Sequence, residues 1–312
     1  MGHYIAVDIG GTQIRAACYP SEGLTHLTAD RASTRCPDGS ALECLINAIT
    51  KIWPVEQNVE ALCVAIPGPV NPYSGVIIET PNITGWEDLP IRRYLEDHFK
   101  VPVAIGNDAN LAAIGEWKYG SGQGHHNLIY ITVSTGIGGG VIVDDQLLLG
   151  ARGLAAELGH VTILPDGPVC SCGHRGHLEA LASGTAIARW VEDEICRGTP
   201  TSLASDRPLT AKKVGAAAQK GDKLAISALA RAGTFLGLTL ANYLHIFNPS
   251  VIVIGGGVSQ TGSLLLEPMK SAIQNHVISP HYLEDLKITK AVLGDEAGLV
   301  GALALARTYN KP

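Results

Sequence analysis

Residues 4–12 spell Tyr-Ile-Ala-Val-Asp-Ile-Gly-Gly-Thr, an apolar run that leads directly into two glycines. Residues 128–140, Leu-Ile-Tyr-Ile-Thr-Val-Ser-Thr-Gly-Ile-Gly-Gly-Gly, repeat this arrangement later in the chain. A second apolar run follows each turn, so both segments are predicted to be β-hairpins with turns rich in glycine and hydroxyl groups. The repetition indicates two similar α/β domains that face each other.

The rest of the chain alternates between strand and helix patterns. Strands are predicted at 61–66, 101–105 and 251–254, and helices at 91–99, 109–118, 222–245 and 297–309. We therefore expect an N-terminal domain over residues 1–115, joined by the C-terminal helix 297–312, and a second domain over 116–296.

Composition narrows the class of protein. Hydrophobic residues make up 46% of the 312 residues and aromatic residues only 5%, which favours an α/β core of small aliphatic side chains. The net charge of −6 argues against a nucleic-acid partner. The chain enters a strand at once and its apolar runs fall short of about 18 residues, so neither a leader nor a membrane span is expected. Scattered cysteines are expected to be reduced, as in a cytoplasmic protein, namely Cys18, Cys36, Cys44 and Cys63.

Glycine turns after strands expose backbone N–H groups that can surround a phosphate. The predicted nucleotide-binding residues of the first turn are Gly10, Gly11 and Thr12, with Asp8 placed to orient Mg²⁺. Those of the second turn are Thr135, Gly136 and Gly138, and the triplet Gly255, Gly256 and Gly257 would lie against the adenosine. The sequence contains no P-loop, and the glycine spacing does not suit a Rossmann fold. Each turn alone is also compatible with an ordinary hairpin.

Asn107 and Asp108 stand where a strand gives way to a helix. One of them could simply cap the helix, since Asn and Asp accept hydrogen bonds from the first N–H groups. Asp108 is also well placed to act as a general base toward a hydroxyl group.

A short segment, residues 157–179, carries two cysteines, three histidines and two glutamates. Closely spaced thiolates and imidazoles suit a tetrahedral Zn²⁺, whereas a metal-free loop with incidental histidines is the alternative. Zinc does not require Glu157 or Glu179, so these carboxylates are free to bind a polar ligand.

In order and spacing, these motifs resemble those of the ROK family of sugar kinases, within the actin/hexokinase-like ATPase group. The resemblance covers essentially the whole chain and rests on residues 8–12, 67–70, 81–82, 107–108, 134–140, 157–160 and the block that ends at 177–179. It implies two actin/RNase H-like domains with a substrate cleft between them. It also implies transfer of the γ-phosphoryl group of Mg-ATP to the 6-hydroxyl of a hexose, with glucose expected first.

The resemblance assigns a role to each matching residue. Asp108 would deprotonate the 6-hydroxyl, and Asn107 would bind the adjacent 4-hydroxyl. The residues expected near the anomeric end are Glu157, His160 and Glu179, and Gly68 and Asn82 would line the same pocket. Zinc would be held by His160, Cys170, Cys172 and His177. His177 stands where the family usually has a third cysteine, and His174 competes for that position.

Several alternatives remain at this stage. The sugar could be N-acetylmannosamine, N-acetylglucosamine or fructose, and polyphosphate could replace ATP as the donor. A sugar-responsive regulator is less favoured, because only a few residues precede the first strand, where such regulators carry a helix-turn-helix domain. The resemblance further implies a homo-oligomer, either a dimer or a tetramer.

Overall fold

The computed structural model describes residues 2–35, 40–55, 58–80 and 83–309. Its strands, in chain order, are β1 (His3–Ile9), β2 (Gln13–Pro20), β3 (Thr28–Ser33), β4 (Val59–Ile66), β5 (Val70–Asn71), β6 (Val76–Glu79), β7 (Glu87–Leu89), β8 (Val103–Asn107), β9 (Leu128–Val133), β10 (Ile137–Val143), β11 (Gln146–Leu147), β12 (Val251–Gly255) and β13 (Lys287–Lys290). Its α-helices are α1 (Ala41–Ile52), α2 (Ile91–Phe99), α3 (Asp108–Tyr119), α4 (Leu178–Ala182), α5 (Gly184–Cys196), α6 (Ala211–Gln219), α7 (Lys223–Phe247), α8 (Ser263–His276) and α9 (Ala297–Thr308).

Two five-stranded sheets share one topology. The first has the order β3-β2-β1-β4-β8 and the second has the order β11-β10-β9-β12-β13. In each sheet the two strands of a glycine hairpin pair antiparallel to each other. The first of them also pairs in parallel with a strand from later in the chain. The duplication predicted from the two glycine turns is therefore confirmed. A small third sheet, β5-β6-β7, was not predicted from the sequence.

The predicted elements match the structure closely, except that one strand begins and ends two residues later than predicted. The strand expected at 101–105 lies at Val103–Asn107 instead. Pro102 has no N–H to donate, so it does not extend the ladder, although its carbonyl accepts a bond from Leu62 N at 3.0 Å. The shift places Asn107 at the very end of the strand and Asp108 at the first position of α3.

Helices α3 and α9 lie between the two sheets. Leu299 and Leu303 of α9 pack on the alanine-rich face of the first sheet, whereas Ala112 and Ala113 of α3 pack against the second. The predicted domain boundary after residue 115 falls inside α3, so it divides an element that links both sheets. The boundary stays a prediction.

The long helix α7 forms the centre of the second core, where it packs against α8. By length and composition it is the one helix in the described ranges that could cross a membrane. However, 61% of its most apolar window is buried within the protein, as expected for a core helix.

The scattered cysteines behave in two ways. Cys18 and Cys63 are buried free thiols, as expected. Cys44 is disulfide-bonded, so the expectation is wrong for this residue, and Cys36 lies outside the described residues. Spacing alone does not reveal which cysteines pair, because pairing depends on how distant backbone segments approach each other.

Candidate active site

The first glycine turn places a buried carboxylate beside exposed backbone. Gly10 and Thr12 are exposed, and Gly10 N donates to the Gln13 carbonyl at 2.8 Å. Asp8, near the end of β1, is 7% exposed and forms an ion pair with Arg15, its cross-strand partner on β2. Burial raises the pKa of Asp8, and the Arg15 guanidinium opposes that rise. Arg15 was missed in the sequence, although its hairpin register with Asp8 could have indicated it.

The second glycine turn is fixed to the start of α5. Gly184 N donates to the Ser134 carbonyl at 2.7 Å, and Thr185 N donates to the Thr135 carbonyl at 3.3 Å. A side chain on Gly184 would approach within 2.6 Å of the Ser134 oxygen, so this tight contact requires glycine. The turn is thus held rigidly against a helix N-terminus.

A cavity of about 690 Å³ opens beside this turn. It is bounded by the second glycine turn, α5, α6 and residues 257–261, and its lining includes Thr135, Thr185, Lys212, Gln219, Gly257 and Gln260. Of the predicted nucleotide-binding residues, Thr135 and Gly257 therefore lie on its wall. The contributions of α5 and α6 had no motif to signal them.

Other predicted glycines have packing roles. Gly138 lies in β10, where an added Cβ would sit 3.0 Å from the Cβ of Ala109 on α3. Gly255 is buried against the Tyr130 ring. Gly256 has φ +83°, and a Cβ there would overlap the backbone of Val133. Gly136 lies against the carboxylate of Glu179.

Asn107 is the N-cap of α3, as one of the two sequence interpretations proposed. Its Oδ1 accepts from the backbone N–H groups of Ala109 at 3.0 Å and Asn110 at 3.1 Å. Its Nδ2 donates to the Gly68 carbonyl at 3.1 Å, in a turn where Gly68 has φ +91°. One amide hydrogen therefore stays available to a ligand.

Asp108 is not needed as the cap. Its Oδ1 accepts from Ala109 N at 2.8 Å, and the residue is partly buried. Burial raises the pKa of Asp108 to about 7, and the nearby carboxylates of Asp8 and Glu157 push it in the same direction. A carboxyl group with a pKa near neutrality is suited to take a proton from a hydroxyl group.

Glu157, His160 and Glu179 lie close to one another. Glu157 precedes the 3₁₀ turn Leu158–His160, and Ala156 before it has φ +65°, a left-handed conformation that is strained for alanine. Burial raises the pKa of Glu157, His160 opposes the rise and Glu179 adds to it. These effects indicate that the three side chains share one surface.

The carboxylate of Glu179 links the second glycine turn to the cysteine loop. Its Oε2 accepts from Ile137 N at 3.1 Å, and its Oε1 accepts from Ser171 Oγ at 2.6 Å and from Cys170 Sγ at 3.4 Å. Each carboxylate oxygen offers two lone pairs, so Oε2 keeps one acceptor position. Ile137 and Ser171 were not predicted to contact this site.

The predicted metal cluster is assembled in the structure. Ligand atoms of His160, Cys170, Cys172 and His177 lie within 4.8 Å of one another. Cys170 Sγ lies 3.7 Å from His160 Nδ1, and Cys172 Sγ lies 3.3 Å from His177 Nδ1. Tetrahedral geometry with ordinary zinc–ligand bond lengths requires a sulfur–nitrogen separation of about 3.6 Å. The donor set is therefore compatible with zinc, and the group of neighbouring ligand atoms includes His177 and does not include His174.

Asn82 lies outside the described residues, so its predicted position in the pocket is not described.

The paired sheets, the two glycine turns and the acid between them define an α/β protein of the actin-like ATPase fold. A sequence profile of the ROK family matches residues 4–309, and the chain belongs to that family.

Individual relatives agree with this membership. The chain is 36% identical over 309 residues to a glucokinase of Halalkalibacterium halodurans, covering 96% of this chain and 93% of that protein. It is 32% identical to a xylose repressor of Caldicellulosiruptor bescii, covering 83% of this chain and 65% of the repressor. Among solved structures, a ROK family glucokinase from Streptomyces griseus in complex with glucose and AMPPNP has a TM-score of 0.82 and 35% identity. The structural alignment covers 99% of this chain and 100% of the Streptomyces griseus chain.

Proposed function

We propose that this protein is an ATP-dependent glucokinase that transfers the γ-phosphoryl group of Mg-ATP to the 6-hydroxyl of glucose. The observation that carries the proposal is Asp108, a half-buried acid at the start of α3 whose pKa is raised to about 7 by burial and by its neighbours Asp8, beside the first glycine turn, and Glu157. Family membership and the glucokinases named among its relatives support the same reaction.

The proposed chemistry depends mainly on positioning. Asp108 accepts the proton of the attacking hydroxyl, and Asn107 binds its neighbour through the free amide hydrogen. The adenosine occupies the 690 Å³ cavity, with the phosphates directed toward the glycine turns. Mg²⁺, when bound, neutralises phosphate charge, and Asp8 is the carboxylate beside the first turn that would hold it or its waters.

We further propose that His160, Cys170, Cys172 and His177 hold a structural Zn²⁺. Ligation through His160 Nδ1 leaves Nε2 to carry the proton and to face the sugar. The same loop carries Ser171, which bonds to Glu179 at 2.6 Å. The metal would therefore fix the wall on which Glu157, His160 and Glu179 receive sugar hydroxyls.

A coupled assay of ADP formation tests the proposal with ATP and each of glucose, mannose, fructose, N-acetylglucosamine and N-acetylmannosamine. Glucose should also be tested with polyphosphate by following glucose 6-phosphate, because that donor releases no ADP. We expect the highest kcat/KM with glucose and ATP. A higher value for an N-acetylated sugar would assign a different kinase of the same family, and no turnover with any of these sugars would contradict the proposal.

The similarity to a xylose repressor favours one second candidate, a sugar-responsive regulator. Sugar binding by calorimetry with no turnover would support it. Turnover with any sugar, together with no measurable binding to duplex DNA, would exclude it.

A further inference from the structure

Glu116 is a fully buried carboxylate that the proposed mechanism does not use. Its residue is 0% exposed, and it lies near the C-terminal end of α3. No ion pair in the described part of the chain includes it. A buried charge without a countercharge is costly unless hydrogen bonds compensate it, so its partners indicate its role.

Those partners belong to the two connections between the sheets. Oε2 accepts from Ser121 N at 2.9 Å, just after α3, which leads from the first sheet to the second. Oε1 accepts from Leu293 N at 2.8 Å, just before α9, which leads back to the first sheet. One side chain of the first connection thus bonds to the second connection at a backbone N–H group 177 residues further along the chain.

The contact between α3 and α9 explains why such a tie matters. A Cβ on Gly115 would lie 2.6 Å from the Ala297 carbonyl oxygen, and a Cβ on Gly301 would overlap the backbone of Leu111. The helices therefore touch backbone to backbone, with no interlocking side chains at those glycines. The hydrogen bonds of Glu116 lie immediately beside the Gly115–Ala297 contact, where α3 ends and the chain enters α9. They add a fixed tie at this end of the helix pair.

The N-terminal end of each helix lies at an acidic residue of the site. Asp108 is the first residue of α3, and a Cβ on Gly298 of α9 would lie 2.8 Å from Asp8 Oδ2. Resting on the proposed kinase function, we infer that Glu116 is a positioning residue. By joining the end of α3 to the start of α9, it sets the placement of Asp108 relative to Asp8 and the first glycine turn.

The test compares Glu116→Gln with Asp222→Asn, a matched control. Asp222 caps α7, distant in sequence from both connections, and accepts from Ser202 N at 2.7 Å and Ala225 N at 3.0 Å. It also accepts from the hydroxyl groups of Thr201 at 2.8 Å and Ser202 at 2.7 Å. Each substitution replaces an acceptor of two backbone bonds by an amide, which leaves one bond poorly made. Both variants should lose stability in urea unfolding.

Only Glu116→Gln should change the chemistry. We expect its kcat to fall by about 10- to 100-fold, as for a small displacement of a catalytic group, with the KM values for sugar and ATP within about 3-fold of wild type. Asp222→Asn should keep its kcat. Equal kcat values for the two variants, at a temperature where both are folded, would overturn the inference.

A second variant leaves Glu116 itself unchanged. A Cβ at Gly120 would overlap Oε2 of Glu116, so Gly120→Ala should displace the carboxylate and lower kcat in the same way. A normal kcat in a folded Gly120→Ala protein would contradict the role of Glu116. If the wild-type protein phosphorylates no sugar, the proposed function fails before the variants are compared, so the two failures are distinguishable.

Discussion

Replacing Asp108 by asparagine should abolish activity and, at the same time, stabilise the fold. Asparagine has nearly the shape of aspartate and keeps an oxygen that can accept from Ala109 N, but it cannot ionise or take the proton of a hydroxyl group. We expect kcat to fall by about 10²- to 10⁴-fold. Sugar affinity, measured by calorimetry, should change little.

The size of the stability gain follows from the pKa of Asp108. Its pKa is raised from 3.8 to about 7, a difference of about 3 units that corresponds to at most about 4 kcal/mol at 1.36 kcal/mol per unit. Because the side chain is only partly buried, solvent screens part of this cost, and we expect a gain of about 1–3 kcal/mol at pH 8.

The sign of the pH dependence is also fixed. A carboxyl group with a raised folded-state pKa destabilises the fold only where the unfolded chain is ionised. The penalty is therefore absent below about pH 4, grows toward pH 7 and is constant above it. Urea unfolding at pH 5 and pH 8 should show that the gain of Asp108→Asn at pH 8 is about twice that at pH 5.

The matched control is Asp97→Asn, since the side chain of Asp97 is 70% exposed on α2. Its effect should stay within about 0.5 kcal/mol at both values of pH. Equal gains for Asp108→Asn at pH 5 and pH 8, or no gain at pH 8, would refute the view that burial and neighbouring carboxylates raise the pKa of Asp108.

Three further substitutions test other parts of the site. Cys170→Ala should release zinc, measured by metal analysis of the purified protein, and should raise the KM for sugar more than the KM for ATP; zinc retention with unchanged kinetics would contradict the proposed ligand set. Gly257→Leu should fill the cavity beside the second glycine turn and raise the KM for ATP by about 10-fold or more. The fold should persist, because an added Cβ there meets no atom within 4 Å. An unchanged KM for ATP would place the adenosine elsewhere. Ala156→Gly should relieve a left-handed alanine at φ +65° and raise stability by about 0.5–1 kcal/mol in urea unfolding, and a loss of stability would show that its Cβ makes contacts that outweigh the strain.

The sequence by itself determined the local structure of this protein. The apolar runs and glycine turns at 4–12 and 128–140 specify two hairpins, because strand periodicity and glycine turns act over a few residues. The short spacing between Cys170 and His177 likewise indicated that two thiols and an imidazole lie close enough to bind one metal. His160, the last residue of the turn Leu158–His160, lies close to them as well. The change from strand to helix at Asn107 and Asp108 was also local, and capping explains Asn107 without reference to any distant residue.

Only the tertiary structure decided what these local features face. The pKa of Asp108 depends on its burial and on carboxylates at positions 8 and 157, and the carboxylate of Glu179 accepts hydrogen bonds from Ile137 and Ser171 on separate segments. The cavity wall contributed by α5 and α6 had no motif, because most of its residues are small and their role comes from packing. Glu116 bonds to Leu293, 177 positions away, and no local pattern distinguishes it from an ordinary helix glutamate. Sequence patterns fix backbone conformation over a few residues, whereas burial, charge proximity and hydrogen-bond partners depend on how distant segments pack.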